Sequence, residues 1–222
     1  MKKALNILII LLSFSTLTAF ALPDKLDNSP RREDRPGYLS DLEHDVVTEL
    51  NLARLHPEIY ADFLTQYSRL FVGRELYEPG EITIMTKEGR SAVNEAIRFL
   101  KIQKPLTTLT ASKGMSRAAA DMVRMQEITS NTGHIGSDRS TFYERISRYG
   151  AWSGSCSENI DYGYNSARRI VMALIIDDGV RNRGHRKSIF DQNFQRVGVA
   201  CGQHRTFNYM CVIELAQSYD ER

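Results

Sequence analysis

The order of the elements in the sequence predicts an α+β fold in which helices and an antiparallel hairpin pack in layers. Amphipathic helical patterns follow one another from residue 40 onward, and the last of them starts at Ser166. Two segments with strand periodicity, 196–201 and 208–216, then close the chain. Because strands do not alternate with helices, the pattern favours a sandwich of layers over a βαβ fold.

The N-terminus has the pattern of a secretory signal peptide. Lys2 and Lys3 precede an apolar run, and Ala19 and Ala21 supply the small residues that signal peptidase accepts. The alternative is a membrane anchor, but polar residues interrupt the run, which is shorter than the roughly 20 residues of a span. We predict a signal peptide over 1–21, a disordered lead-in over 22–39 and one domain over 40–218, with no integral membrane span after cleavage.

Charge and cysteine content limit the classes of partner and the compartment. The formal charge of the chain is +2, and it falls to 0 when Lys2 and Lys3 are removed. A neutral balance gives no electrostatic attraction for nucleic acid or for an anionic membrane. Export implies an oxidising compartment, so we predict a secreted or periplasmic protein, and we expect a monomer.

Apolar residues at helical spacing predict six helices. The first is the best defined, because Ser40 and Glu43 form a capping box before it. The six helices are predicted over 41–55, from Pro57 to about residue 71, over 91–102, over 111–126, over a short segment capped by Thr141 and Glu144, and from Ser166 to a stop at Gly179.

The C-terminal hairpin predicts a disulfide between Cys201 and Cys211. If these residues lie opposite each other, the period of two places four apolar side chains on the same face: Val197, Val199, Ile213 and Leu215. The alternative is two free buried thiols. Cys156 is the third cysteine and has no evident partner in the sequence.

Two of the five histidines lie in glycine-bearing loops and are candidates for a functional site. His134 follows Gly133, and His185 follows Gly184. Glycine beside a histidine allows close approach of a ligand or of another part of the backbone. We expect no functional role for the three histidines that lie on helix faces or in the hairpin loop, His44, His56 and His204.

Acidic residues lie between the two candidate histidines. Glu158 precedes an apolar segment, and Asp177 and Asp178 end the helix that starts at Ser166. Carboxylates are disfavoured at a helix C-terminus, and such local conflicts are typical of functional sites, although Asp178 before Gly179 is also an ordinary turn signal. Imidazoles and carboxylates can hold a divalent cation or polarise a water, but their spacing here matches no metal motif.

Five parts of the sequence carry a recognisable pattern: 50–54, Gly133-His134 with 142–146, 157–160, 184–190 and 196–202. Through these segments the chain resembles the CAP superfamily, also called SCP/TAPS, over about residues 46–216. This superfamily contains cysteine-rich secretory proteins, antigen 5 and pathogenesis-related proteins, with many secreted bacterial members. Ser157 stands where the family has glycine.

The resemblance implies a three-layer α-β-α sandwich with a central antiparallel sheet and a cleft lined by two histidines and two acids. Motif matching assigns these positions to His134, His185, Glu158 and Asp177. The family has tryptophan three residues before the last acid, where this chain has Leu174. The set implies a divalent cation (Zn²⁺, Ca²⁺ or Mg²⁺) and a small-molecule, lipid or peptide ligand.

The resemblance leaves three functional classes open. A binding module would use the cleft for a cation and a ligand. A hydrolase acting on peptide or cell-wall material would use Glu158 as the general base, with His185 or a metal held by histidine to activate water. In a purely structural or interaction protein, the cleft would have no activity.

Overall fold

The computed structural model describes residues 36–222, so the predicted signal peptide and most of the predicted lead-in lie outside the described residues. The helices are α1 (Asp41–Leu55), α2 (Pro57–Tyr67), α3 (Arg90–Ile102), α4 (Lys113–Thr129), α5 (Phe142–Ser147), α6 (Ala167–Ile176) and α7 (Gly184–Ile189). The strands are β1 (Phe71–Val72), β2 (Glu75–Leu76), β3 (Ile84–Met85), β4 (Thr110–Ala111), β5 (Gly150–Tyr162), β6 (Arg196–His204) and β7 (Asn208–Glu221). No helix within residues 36–222 is long and apolar enough to cross a membrane.

The main sheet has the strand order β4-β6-β7-β5. Its three long strands are antiparallel, while the two-residue strand β4 joins β6 in parallel. The three short strands β1, β2 and β3 form a separate antiparallel ribbon between α2 and α3. Strand β5 is therefore at an edge of the main sheet.

Helices cover both faces of this sheet, which confirms the predicted α+β sandwich. On one face, α4 and α5 pack on the sheet through two clusters, one with Met122 and Val212 and one with Ile146 and Ala216. On the other face, α1, α2, α3 and α6 share a larger core with Val199 and Ile213. The period of two along β6 and β7 divides the apolar residues between the two cores.

Gly198 allows α4 to lie unusually close to β6. A Cβ atom at this position would lie 2.3 Å from the backbone carbon of Met115 and 2.5 Å from the backbone nitrogen of Ser116. The hydroxyl of Ser116 accepts a hydrogen bond from the backbone of Val199 at 3.1 Å. A side chain at position 198 would push the helix off the sheet.

The hairpin has the predicted register. Cys201 lies opposite Cys211, Val199 opposite Ile213 and Val197 opposite Leu215. Cys201 and Cys211 form a disulfide, and Cys156 is a free, half-buried thiol whose pKa is raised to about 12, mainly by burial.

Loss of the disulfide is expected to lower the free energy of unfolding by about 2–3 kcal/mol, because the closed loop is short. The measurement is urea unfolding of the protein with and without reductant. The double variant Cys201→Ala/Cys211→Ala should match the reduced protein and should not respond to reductant. Equal unfolding free energies for the oxidised and reduced protein would contradict the prediction.

The helix predictions are largely confirmed, and the main differences concern β5, α7 and the β1–β3 ribbon. α1 has the predicted bounds, with a capping box formed by Ser40 and Glu43. The sequence did not indicate β5, because this segment contains glycines and serines and has no regular alternation of buried and exposed residues. α6 ends at Ile176 rather than at Gly179, because Asp177 already has a left-handed backbone with φ of 57°.

Candidate functional site

The loop that carries His134 is held between α4 and β5. Gln126 donates from Nε2 to the carbonyl oxygen of Gly133 at 2.7 Å, and the hydroxyl of Tyr162 accepts from the backbone of Gly133 at 3.0 Å. The same hydroxyl donates to Oε1 of Gln126 at 2.8 Å. Gly133 has φ of 93°, a conformation that favours glycine, so the loop can turn directly before the histidine.

His134 and Glu158 form the first pair of the site. Nδ1 of His134 lies 2.9 Å from Oε1 of Glu158. The Glu158 side chain is completely buried, whereas the His134 side chain is about half exposed. The carboxylate thus orients the ring and leaves its other nitrogen, Nε2, on the side away from Glu158.

Arg145 on α5 completes this arrangement. Its guanidinium donates to Oε2 of Glu158 at 2.6 Å, to the carbonyl oxygen of Ser140 at 2.9 Å and to that of His134 at 3.2 Å. Arg145 is fully buried, so it supplies the charge that a buried carboxylate requires. It binds both the acid and the backbone of the histidine, and thereby fixes the geometry of the pair.

A second buried acid, Glu214, faces Glu158 across β5 and β7. The two residues are directly opposite in the sheet, and Glu214 is fully buried. Burial, followed by the negative charge of Glu158, raises the pKa of Glu214 well above its ordinary value. This favours the neutral acid at Glu214.

His185 and Asp177 form the second pair. Nδ1 of His185 lies 2.7 Å from Oδ1 of Asp177, and Oδ2 accepts from the backbone of His185 at 3.0 Å. Asp177 follows α6, but its carboxylate lies at the first turn of α7, where the helix N-terminus favours negative charge. The apparent conflict at the end of α6 is therefore resolved by a neighbouring helix.

Asp178 has a similar role for a different segment. Its carboxylate accepts from the backbone nitrogens of Lys87 at 2.6 Å, Glu88 at 2.7 Å and Gly89 at 3.3 Å, directly before α3. Arg183 then pairs with Glu88 and Glu95. The consecutive acids 177 and 178 thus connect the end of α6 to the starts of α7 and α3.

The two histidine pairs approach β5 from its two faces. Consecutive strand residues point to opposite faces, and Glu158 contacts His134 while Asn159 contacts α7. Nδ2 of Asn159 donates to the carbonyl oxygen of His185 at 3.4 Å, and its Oδ1 accepts from Ser188 at 2.7 Å. Ser157, which replaces the glycine of the family, pairs regularly with Leu215 in the sheet.

The predicted set of His134, His185, Glu158 and Asp177 is brought together as two pairs and not as one group of four. Within the described part of the chain, no group of three or more histidine, cysteine, aspartate or glutamate side chains could hold a metal ion. Glu158 is hydrogen-bonded to His134 and Arg145. Asp177 is hydrogen-bonded to the ring and to the backbone N–H of His185. These residues therefore form no metal-binding group within residues 36–222, and the cation stays a prediction of the resemblance.

A pocket of about 470 Å³ lies beside His185 at the edge strand β5. One wall comes from α6 and includes Met172, Leu174 and Ile176, and another comes from the β1–β3 ribbon and includes Leu76 and Met85. Polar groups in the lining include His185, Asp177, Asp161 and Arg169, whereas His134 does not line it. Met85 is largely exposed, so the pocket opens to solvent near the ribbon.

Several residues of this region were not predicted as site residues. Arg145 was part of a motif without an assigned role, and Glu214 and Asp161 carried no local signal. The sequence separates Arg145 and Glu158 by 13 positions, and their contact depends on β5, which was not predicted. His204, expected in the hairpin loop, instead ends β6, where it is buried and bonds to the carbonyl oxygen of Asn131 at 3.0 Å.

The fold is an α-β-α sandwich, and two histidines, each oriented by a carboxylate, lie beside its edge strand β5. The profile of the cysteine-rich secretory protein family, CAP, matches residues 88–215, which is more than half of the chain. The protein therefore belongs to the CAP family. No curated protein sequence matches it.

Two solved structures show similarity to the chain. An outer surface protein from Borrelia burgdorferi is 14% identical with a TM-score of 0.42, and the match covers 50% of this chain and 78% of that one. An extracellular protein containing an SCP domain from Bacillus anthracis str. Ames is 13% identical with a TM-score of 0.41, covering 58% of this chain and 38% of that one. The Cys201–Cys211 disulfide fits an extracellular location.

Proposed function

We propose that this protein is a secreted CAP-domain binding module whose pocket beside His185 takes a small or lipid-like ligand. The single observation that carries the proposal is the pocket of about 470 Å³ at β5. This volume falls within the roughly 300–1,000 Å³ of small-molecule sites, which are mostly apolar with a few placed polar groups. The lining has this composition.

The walls of the pocket suit an apolar ligand body. Leu174 and Ile176 are buried on α6, and Phe71 and Leu76 are buried on the ribbon side. Burial of apolar ligand surface there would contribute about 25 cal/mol per Å². The polar groups at the His185 end would fix the orientation of the ligand.

The ribbon wall lies outside the part of the chain that defines the family. Lining residues from Tyr67 to Lys87 precede residue 88, where the family match begins. The family match therefore gives no information about this wall, and the ligand need not be one that its relatives take.

Two observations favour binding over hydrolysis. The Glu158 side chain is fully buried, and both of its oxygens are bonded, to His134 and Arg145. A general base needs an oxygen within reach of the water that it deprotonates. Glu158 has its full set of partners, so the hydrolase with Glu158 and His185 as catalytic residues is the weaker alternative.

The neutral apolar dye N-phenyl-1-naphthylamine is expected to bind one site per chain, with a rise in fluorescence. Ala173 is half-buried and lines the pocket, so Ala173→Phe should fill it and weaken dye binding at least tenfold. Ala151→Phe places the same side chain at an exposed position of β5 away from the pocket, and should bind the dye as the unchanged protein does.

The unfolding midpoint of both variants shows that each is folded. Absence of dye binding by the unchanged protein, or equal binding by Ala173→Phe and the unchanged protein, would refute the proposal. Release of product from peptide or peptidoglycan substrates, lost in both Glu158→Gln and His185→Ala, would instead support the hydrolase.

A further inference from the structure

Asp161 is a buried acid in the pocket wall with an unused hydrogen-bonding atom. It lies on β5, lines the pocket and is 6% exposed. Its Oδ2 has no hydrogen-bond partner among residues 36–222. A buried carboxylate oxygen without a donor is costly, and such atoms at a pocket wall mark the position of a ligand group.

The nearest guanidinium does not supply this donor. Arg169 forms an ion pair with Glu78, with 2.9 Å between one guanidinium nitrogen and Oε2, and it donates to the hydroxyl of Tyr67 at 2.9 Å. Its guanidinium also lies over the ring of Tyr164, 4.7 Å from the centroid. Arg169 is therefore held by other partners and leaves Asp161 without a direct ion pair.

The pKa of Asp161 is that of a buried acid without a positively charged partner. Burial raises its pKa to about 7, although the backbone N–H of Tyr164 and the charge of Arg169 act in the opposite direction. An additional positive group at Oδ2 would favour the ionised carboxylate and recover part of the cost of burial.

The other acidic residues of the pocket are already matched, and Lys87 also lines the pocket. Asp177 is paired with His185, and Asp178 accepts three backbone hydrogen bonds. Arg169 is neutralised by Glu78. Among the acidic residues that line the pocket, Asp161 alone has a side-chain oxygen that is both buried and unpartnered.

Aromatic residues line the same pocket as this acid and suit a cationic group. Tyr67, Tyr162, Tyr164 and Phe207 all line the pocket. The faces of such rings attract ammonium groups, and their edges extend the apolar wall. The pocket therefore offers one carboxylate acceptor within an aromatic and aliphatic surface.

We propose that the pocket selects an amphiphile with a protonated primary amine, an inference that rests on the proposed function. The amine donates a hydrogen bond to Oδ2 of Asp161, and the alkyl chain lies against the apolar walls. A carboxylate or phosphate headgroup would be repelled by Asp161. A hydroxyl headgroup could donate the same hydrogen bond without the charge attraction.

The test is displacement of N-phenyl-1-naphthylamine by three ligands with the same chain length: decylamine, decanol and decanoate. We expect decylamine to displace the dye at concentrations at least tenfold below those of decanol, and decanoate to be the weakest. Asp161→Asn should weaken decylamine at least tenfold and leave dye and decanol binding within about twofold.

Asp220→Asn is the matched control, because Asp220 is exposed near the C-terminal end of β7 and does not line the pocket. It should leave all three affinities unchanged. If the dye binds and Asp161→Asn does not change the preference for decylamine, or if decanol or decanoate binds as tightly as decylamine, this inference is wrong and the proposed function stands. If the dye does not bind at all, the proposed function itself fails.

Discussion

Arg145→Met is expected to lower the free energy of unfolding by about 3–5 kcal/mol at pH 7, because removal of one partner of a buried ion pair leaves the other charge uncompensated. Glu158 would then lie fully buried next to Glu214 without a guanidinium. The carbonyl oxygens of Ser140 and His134 would also lose their donor. Urea unfolding, monitored by circular dichroism, measures the change.

A second variant should identify the cause of the loss. The double variant Arg145→Met/Glu158→Gln carries no buried charge at either position and should recover most of the loss.

Arg148→Met is the matched control for this prediction. Arg148 follows α5 and is partly exposed, and it forms ion pairs with Asp121 and Asp138 near the surface. Pairs of this kind contribute about 0–1 kcal/mol. A loss in Arg145→Met no larger than that in Arg148→Met would show that the buried pair does not stabilise the fold, and would remove the basis for Arg145 as the residue that positions His134.

The sequence was sufficient for features that depend on local patterns. The capping boxes of α1 and α5 and the alternation in β6 and β7 gave the helix starts and the hairpin register. The disulfide followed from that register, because cysteines at opposed positions of a hairpin lie close together. Family resemblance supplied the layer order and the four site positions.

Sequence patterns could not predict features that depend on contacts between distant parts of the chain. β5 holds buried polar residues such as Glu158, Asn159 and Asp161, which interrupt any alternation. The partners of Glu158 and Asn159 come from α5 and α7. The pairing of Asp177 with His185 explains why an acid follows α6, but only after α7 is known. The pocket needs the β1–β3 ribbon, whose two-residue strands carry almost no periodic signal.

Asn51 and Arg54 on α1 bind backbone groups of segments that are distant in the sequence. Asn51 accepts from the backbone nitrogen of Leu109 at 2.7 Å and donates to the carbonyl oxygen of the same residue at 3.0 Å. Arg54 is fully buried in α1 and donates to four backbone carbonyl oxygens, those of Thr107, Ile189, Asp191 and Phe194. These bonds fasten the segment before β4 and the segment between α7 and β6 to the first helix.

Arg54→Met is therefore expected to cost about 3–5 kcal/mol of unfolding free energy. Four buried or partly buried carbonyl oxygens would lose a charged donor, and each unsatisfied group costs about 1–3 kcal/mol before water or relaxation compensates. Arg54→Lys should lose nearly as much, because a compact ammonium cannot reproduce the planar fork that reaches several acceptors. Arg98→Met, at an exposed position of α3, should change stability by less than about 0.5 kcal/mol.

Hydrogen exchange distinguishes this role of Arg54 from simple filling of space. Because Arg54 donates to the carbonyl oxygen of Ile189 at 2.6 Å, at the end of the helix that carries His185, its loss should speed exchange in α7 and in residues 190–194 more than in β5. A uniform increase over the whole domain would mean only global destabilisation. A selective increase would mean that the first helix, through one buried guanidinium, holds the second histidine of the site in place.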